Sequence, residues 1–180
     1  MHSAVVLAIA RILAEKGGDR VATLRFNYRG VGASLGKYAG GQGEVMDARA
    51  ALRAVAASAP RAKLTVCGYS FGTWVGLRAA ALEGTVERVA LVAPAVRIFD
   101  FVREDGANFA PAGAGEEDGK SRLAIYVGDQ DEFCDVHEAE TLAQDLGATL
   151  RVFPGSDHYF LSSRRKLAEA VAPFVAPEVG

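Results

Sequence analysis

The sequence predicts an α/β fold: a mostly parallel sheet with helices on both faces. Apolar runs of strand length recur at 21 to 26, 63 to 68, 87 to 92, 122 to 127 and 148 to 153, and runs without polar alternation suit parallel strands buried on both sides. Helix-length segments at 3 to 17, 44 to 58, 71 to 83, 136 to 146 and 161 to 175 stand between them, the alternation that layers helices over a sheet. At Gly68-Tyr69-Ser70-Phe71-Gly72 an apolar strand breaks straight into a helix. With 180 residues, 50% of them hydrophobic, the chain is long enough for one such domain over 1 to 180 with a sizeable core.

The first helix begins at a Ser3 cap and stops at Gly17-Gly18. Val5, Val6, Ile9, Ile12 and Leu13 share one of its faces, with Arg11, Glu15 and Lys16 opposite. The start is not basic, so the segment does not read as a secretory signal, and the apolar run is too short to span a bilayer. The strand at 21 to 26 leads into a glycine-rich loop running to 43. A longer loop, 94 to 121, carries Val96, Ile98, Phe99, Phe101, Val102 and Phe109, too apolar for a plain surface connection, whereas Ala112 to Lys120 is small, glycine-rich and acidic like a tether. Its aromatic half either covers part of a pocket or plugs the sheet edge. A short cap would favour small acyl groups over long lipids.

Ser70 occupies a nucleophile elbow. The glycines two positions either side let the serine backbone take a strained turn against the neighbouring strand and helix. The Phe71 amide, in the first helical turn, can then donate to a developing oxyanion. Five residues of that pattern are a weak signal in a chain with 20 glycines; the context strengthens it. Later strands end in Gly128-Asp129-Gln130-Asp131 and in Pro154-Gly155-Ser156-Asp157-His158, so serine, acid and histidine follow in the order Ser, Asp, His. A serine alcohol is a poor nucleophile at neutral pH. It needs His158 to take its proton and Asp131 to hold the imidazole tautomer.

These landmarks, together with Phe26-Asn27-Tyr28-Arg29-Gly30-Val31-Gly32-Ala33-Ser34 and Leu91-Val92-Ala93-Pro94, resemble the α/β-hydrolase superfamily, and within it the small bacterial members related to the dienelactone hydrolase group. The resemblance implies Ser70, Asp131 and His158 as a catalytic triad, with Asp129 set aside because the family's acid stands three residues past the strand-ending glycine. Dienelactone hydrolases carry cysteine as nucleophile; the serine at position 70 favours an esterase instead. Relatives also place a strand and a His/Gly-rich loop ahead of the helix matching 3 to 17. That loop supplies the second oxyanion amide, and the strand lies between those matching 21 to 26 and 63 to 68. Three readings of the missing strand follow: the sequence lacks its natural start, the sheet closes by pairing 21 to 26 with 63 to 68, or a second chain fills the slot.

The expected function is therefore a cytoplasmic serine hydrolase cleaving small carboxylic esters through an acyl-enzyme on Ser70. Tyr69, Asn27, Phe99 and Phe101 are candidate substrate contacts. The alternative is an impaired hydrolase fold acting as a binding or scaffold module, because the oxyanion loop has no counterpart. A net charge of −2 offers nucleic acid or an anionic membrane no electrostatic attraction, and no metal-ligand cluster or cofactor motif appears, which leaves a small-molecule ester as partner and homo-oligomerisation open. Cys67, in an expected buried strand, and Cys134, in a loop, read as free thiols of a reducing compartment. Other residues have plainer readings. Asn27-Tyr28-Arg29-Gly30 suits a structural loop anchored by Arg29 better than a ligand site. His137 is a solvated helix-start histidine, His2 a mobile terminus and Trp74 a core residue. Asp157 points away from its neighbour His158.

Overall fold

Among the described residues, apolar and β-branched side chains build four strands, β1 (Leu64–Tyr69), β2 (Val86–Val92), β3 (Leu123–Gly128) and β4 (Thr149–Phe153). They lie side by side in sequence order, every pair parallel. The computed structural model describes residues 3–101 and 121–179. Successive residues of β2 and β3 feed two cores. Val89, Leu91, Leu123 and Ile125 face α2 (Gln42–Ser58), α3 (Phe71–Glu83) and α4 (Val136–Leu146), while Ala90, Val92, Ala124 and Tyr126 face α1 (Ala4–Gly17) and α5 (Arg164–Val175). That is the period-two alternation of a strand buried on both sides.

Local chemistry sets the helix ends. Ser3 Oγ accepts from Val6 N–H at 3.5 Å at the start of α1. At α4, Asp135 accepts from Glu138 N–H at 2.9 Å and Glu138 accepts from Asp135 N–H at 2.8 Å, a reciprocal capping box. The α2 helix starts two residues ahead of expectation because Glu44, 1% exposed, reaches back to accept from Ala39 N–H at 3.0 Å and Gly41 N–H at 2.9 Å. The α5 helix starts three residues later than expected: fully buried Phe160 holds φ at 49°, and the turn closed by Ser163 N–H on its carbonyl occupies the chain up to Arg164.

The sequence-predicted strand at 21 to 26 does not form. Val21 has the extended backbone of a strand, φ −127° and ψ 121°, but residues 21–26 pair with no neighbour and the sheet ends at β1. Extended geometry makes a strand only where a partner's amides and carbonyls lie alongside. Here the ends of the segment are tied by side chains, Val21 to the α1/α5 core and Phe26 to the α2/α3 core, and Ala22–Arg25 between them are exposed. Closure of the sheet by pairing this segment with β1 is thereby excluded. Cys67, expected in a buried strand, is exposed on the edge strand β1, whereas Cys134, expected in a loop, is the buried cysteine. No helix among the described residues is long and apolar enough to cross a membrane.

Candidate active site

The site grows from the junction of β1 and α3. Ser70 sits at φ 52° and ψ −121°, a region that costs a non-glycine residue about 1–3 kcal/mol and persists only where its surroundings impose it. Three hydrogen bonds do so. Ser70 N–H donates to the Val92 carbonyl at 2.9 Å, and the Thr73 amide and hydroxyl donate to the Ser70 carbonyl at 2.9 and 2.5 Å. At Gly68 a side-chain carbon would strike the Gly72 carbonyl and come within 2.6 Å of Thr73 Cα, so the close passage of helix over strand needs glycine. Gly72 differs from expectation: a carbon there would meet only the Tyr28 hydroxyl, at 3.7 Å. Phe71 and Gly72, in the first turn of α3, leave their N–H groups without partners among the described residues.

From the loop after β4, His158 presents Nε2 to Ser70 Oγ at 2.9 Å. Its Nδ1 lies 2.9 and 3.0 Å from the two oxygens of Asp131, which follows β3. A carboxylate only accepts, so Nδ1 carries the proton and Nε2 is left as acceptor for the serine hydroxyl. Both residues are buried, at 3% and 4% exposure. Asp131 is itself fixed by the Phe133 N–H, which donates to it at 2.9 Å. Rings enclose the imidazole: Phe133 at 4.7 Å and Tyr159 at 5.4 Å, edge-on, and Tyr69 tilted at 5.5 Å.

Side chains the sequence marked for other roles hold this frame. Tyr69, a candidate substrate contact, donates its hydroxyl to the His158 carbonyl at 3.2 Å; burial, with lesser contributions from nearby charged groups, pushes its pKa up to about 12, so it stays a donor. Asp129 accepts from Gly155 N–H at 2.7 Å and Ser156 N–H at 3.3 Å and so pins the histidine loop rather than the imidazole. That loop presses on the end of β3 so closely that a carbon at Gly128 would strike the Ser156 carbonyl. Asp157 caps the following turn, accepting from Leu161 N–H at 3.0 Å. The Tyr69 and Asp129 contacts join segments that meet only in the folded chain, and no sequence motif announces them.

The remaining candidates divide. Phe99 packs its ring 5.3 Å from Phe71 and 5.5 Å from Trp74, beside the nucleophile. Phe101 is a correction: at 8% exposure it belongs to the α2/α3 core, where the Trp74 indole donates to the Asp100 carbonyl at 2.9 Å, because an apolar ring finds more contact under the helices than at the rim. Residues 94–101 of this loop therefore pack on the α2/α3 core as well as against Phe71; residues 102–120, with Val102, Phe109 and the tether, lie outside the described residues, as does His2. Asn27 lies at the end of the extended segment, its carbonyl accepting from Ser34 Oγ at 3.0 Å. Arg29 anchors the loop as expected, gripping Asp47 at 2.7 to 3.2 Å. His137 is exposed. Burial pushes the Cys134 thiol up to about 12, away from thiolate chemistry. No cluster among the described residues could hold a metal ion.

Comparison with known proteins places this geometry. Residues 1–115 match the family described as serine aminopeptidase, S33. An uncharacterized protein of Rickettsia prowazekii (strain Madrid E) is 26% identical over 97% of this chain and 72% of its own length. Among solved structures, an α/β serine hydrolase homologue from Coxiella burnetii is 30% identical over 98% of this chain and 78% of its own, with a TM-score of 0.81. A lidless α/β serine hydrolase from Xanthomonas campestris is 30% identical over 99% of this chain and 75% of its own, with a TM-score of 0.82. With the family match covering more than half of the sequence and these two structures following nearly all of it, the chain belongs to the serine aminopeptidase S33 family and is a hydrolase of the α/β-hydrolase fold.

Proposed function

We propose that this hydrolase cleaves small carboxylic esters through an acyl-enzyme on Ser70. The observation that carries the reading is the unbroken hydrogen-bonded series from Ser70 Oγ through the His158 ring to the Asp131 carboxylate, with contacts of 2.9, 2.9 and 3.0 Å. Nε2 takes the hydroxyl proton as Oγ attacks the ester carbonyl, and Asp131 offsets the charge of the imidazolium. The resulting oxyanion lies at the amino end of α3, where the Phe71 N–H donates to it. On collapse His158 returns the proton to the leaving alcohol, and the same imidazole activates water to free the acid.

Esters are favoured over peptides with a free amino terminus by what surrounds the serine. Phe71, Phe99, Tyr69 and Tyr159 offer apolar faces to an acyl group. Asp131, the carboxylate bonded to His158, is buried and engaged by that imidazole and by the Phe133 N–H, so it is not open to an α-ammonium group.

The test is turnover of p-nitrophenyl acetate and butyrate beside labelling by a fluorophosphonate probe. S70A and H158A each lower kcat by about 1000-fold or more, and labelling of position 70 disappears with H158A. Faster hydrolysis of long-chain esters, or of aminoacyl p-nitroanilides, would overturn the substrate assignment. A folded protein that neither labels nor turns over would instead favour a binding or scaffold module.

A further inference from the structure

We propose that the Tyr28 hydroxyl is a second hydrogen-bond donor to the oxyanion formed at Ser70, acting beside the Phe71 N–H. The inference rests on the serine-hydrolase reading and adds a catalytic residue to it. Tyr28 stands at the carboxyl end of the extended segment 21–26, and its hydroxyl reaches the first turn of α3, 3.7 Å from where a side-chain carbon on Gly72 would lie. Because position 72 is glycine, nothing on that residue screens the open end of the helix from the phenol. The hydroxyl therefore lies against the first turn of α3, at a position two residues along the chain from Ser70.

The hydroxyl is also uncommitted. It has no hydrogen-bond partner among the described residues, and the two carboxylates whose charge it feels are occupied, Glu44 by the amides of Ala39 and Gly41 and Asp47 by Arg29. Burial, and after it the charges of Asp47 and Glu44, pushes its pKa up to about 12, so it keeps its proton to donate throughout the neutral range.

The ring is held in place before substrate arrives. Phe26 packs edge-on at 5.1 Å and Phe71 at 5.6 Å. The next residue is tied on both backbone and side chain, Arg29 N–H donating to Asp47 at 2.9 Å and its guanidinium gripping the same carboxylate. A donor fixed in this way needs no reorganisation when charge appears, which is the condition for a large electrostatic effect on the barrier.

Y28F removes only the oxygen. Its kcat on p-nitrophenyl butyrate is expected to fall about 100-fold with KM and melting temperature little changed, and its affinity for a trifluoromethyl ketone, which forms an oxyanion hemiketal on the serine, to fall by the same factor. A kcat within twofold of the parent overturns the proposal, as does a lower kcat with unchanged ketone affinity. If Y28F does not fold, 3-fluorotyrosine at position 28 keeps the packing and alters only the acidity of the hydroxyl: a displaced kcat supports the role, and an identical one overturns it. Failure of the underlying reading is distinct, since the unsubstituted protein would then neither turn over nor label at Ser70.

Discussion

At Ser70 the backbone takes a conformation that most side chains avoid, φ 52°, and the serine, though it stands at the helix N-cap position, makes no cap hydrogen bond with its side chain. The hydroxyl that would ordinarily close the helix end is given to His158 instead. In the proposed mechanism Asp131 touches no reacting atom: besides offsetting the imidazolium charge, it selects which imidazole nitrogen carries the proton. Asparagine there would present its amide N–H to Nδ1, favour the opposite tautomer and aim an N–H at Ser70. D131N is expected to lower kcat about 10,000-fold with little change in melting temperature, whereas a kcat within tenfold of the parent would remove Asp131 from the triad. Ser70 and His158 were legible in strand-ending motifs, whereas Asp131 was set above Asp129 only by the family resemblance. The supporting roles of Tyr69 and Asp129 were not legible, because each depends on a backbone group from a loop 26 or more positions away.

Among the elements, the helices were placed to within three residues at their starts and the four paired strands to within one, but the fifth expected strand does not form. Capping residues and glycine stops are local signals, and α3 and α4 begin and end where their sequences place them. The segment 21–26 has the same apolar look as β2, yet a strand needs a neighbour, and that information is not local. What holds the chain beyond it is the tie between Arg29 and Asp47. The hydrogen bond from the Arg29 side chain holds the Asp47 carboxyl below its ordinary value. A carboxylate with a lower pKa folded than unfolded adds stability that is fully present above the unfolded value, about 4, and is lost as pH falls through the folded one. D47N should therefore melt below the parent at pH 7, with the two curves converging as pH drops through the acid range; a constant gap in thermal melts from pH 7 to pH 2 would assign the tie no electrostatic part.

On the scale of the whole molecule, β2 joins the two cores and the site. Leu91 is fully buried among α3, α4 and β3 side chains, and the next residue, Val92, receives the Ser70 amide. L91A leaves a cavity costing about 2–5 kcal/mol, a large part of the about 5–15 kcal/mol that keeps a domain folded. The urea midpoint should fall accordingly, while kcat per labelled active site stays near the parent value; a loss of per-site kcat without loss of stability would mean that the core tunes the chemistry directly. Ser70, Asp131 and His158 can meet because all three follow the carboxyl ends of parallel strands, which lie at one end of the sheet.

Legible along the chain were the helices, the four paired strands, the elbow at Ser70 and the loop that carries His158, because periodicity, caps and turn glycines act over a few neighbouring residues. It took the folded chain to bring Asp131 rather than Asp129 to His158, to bury Phe101, to leave 21–26 unpaired and to set the Tyr28 hydroxyl against the first turn of α3. Those outcomes depend on which distant loops come within about 3 to 4 Å of one another, a distance that spacing along the chain does not encode.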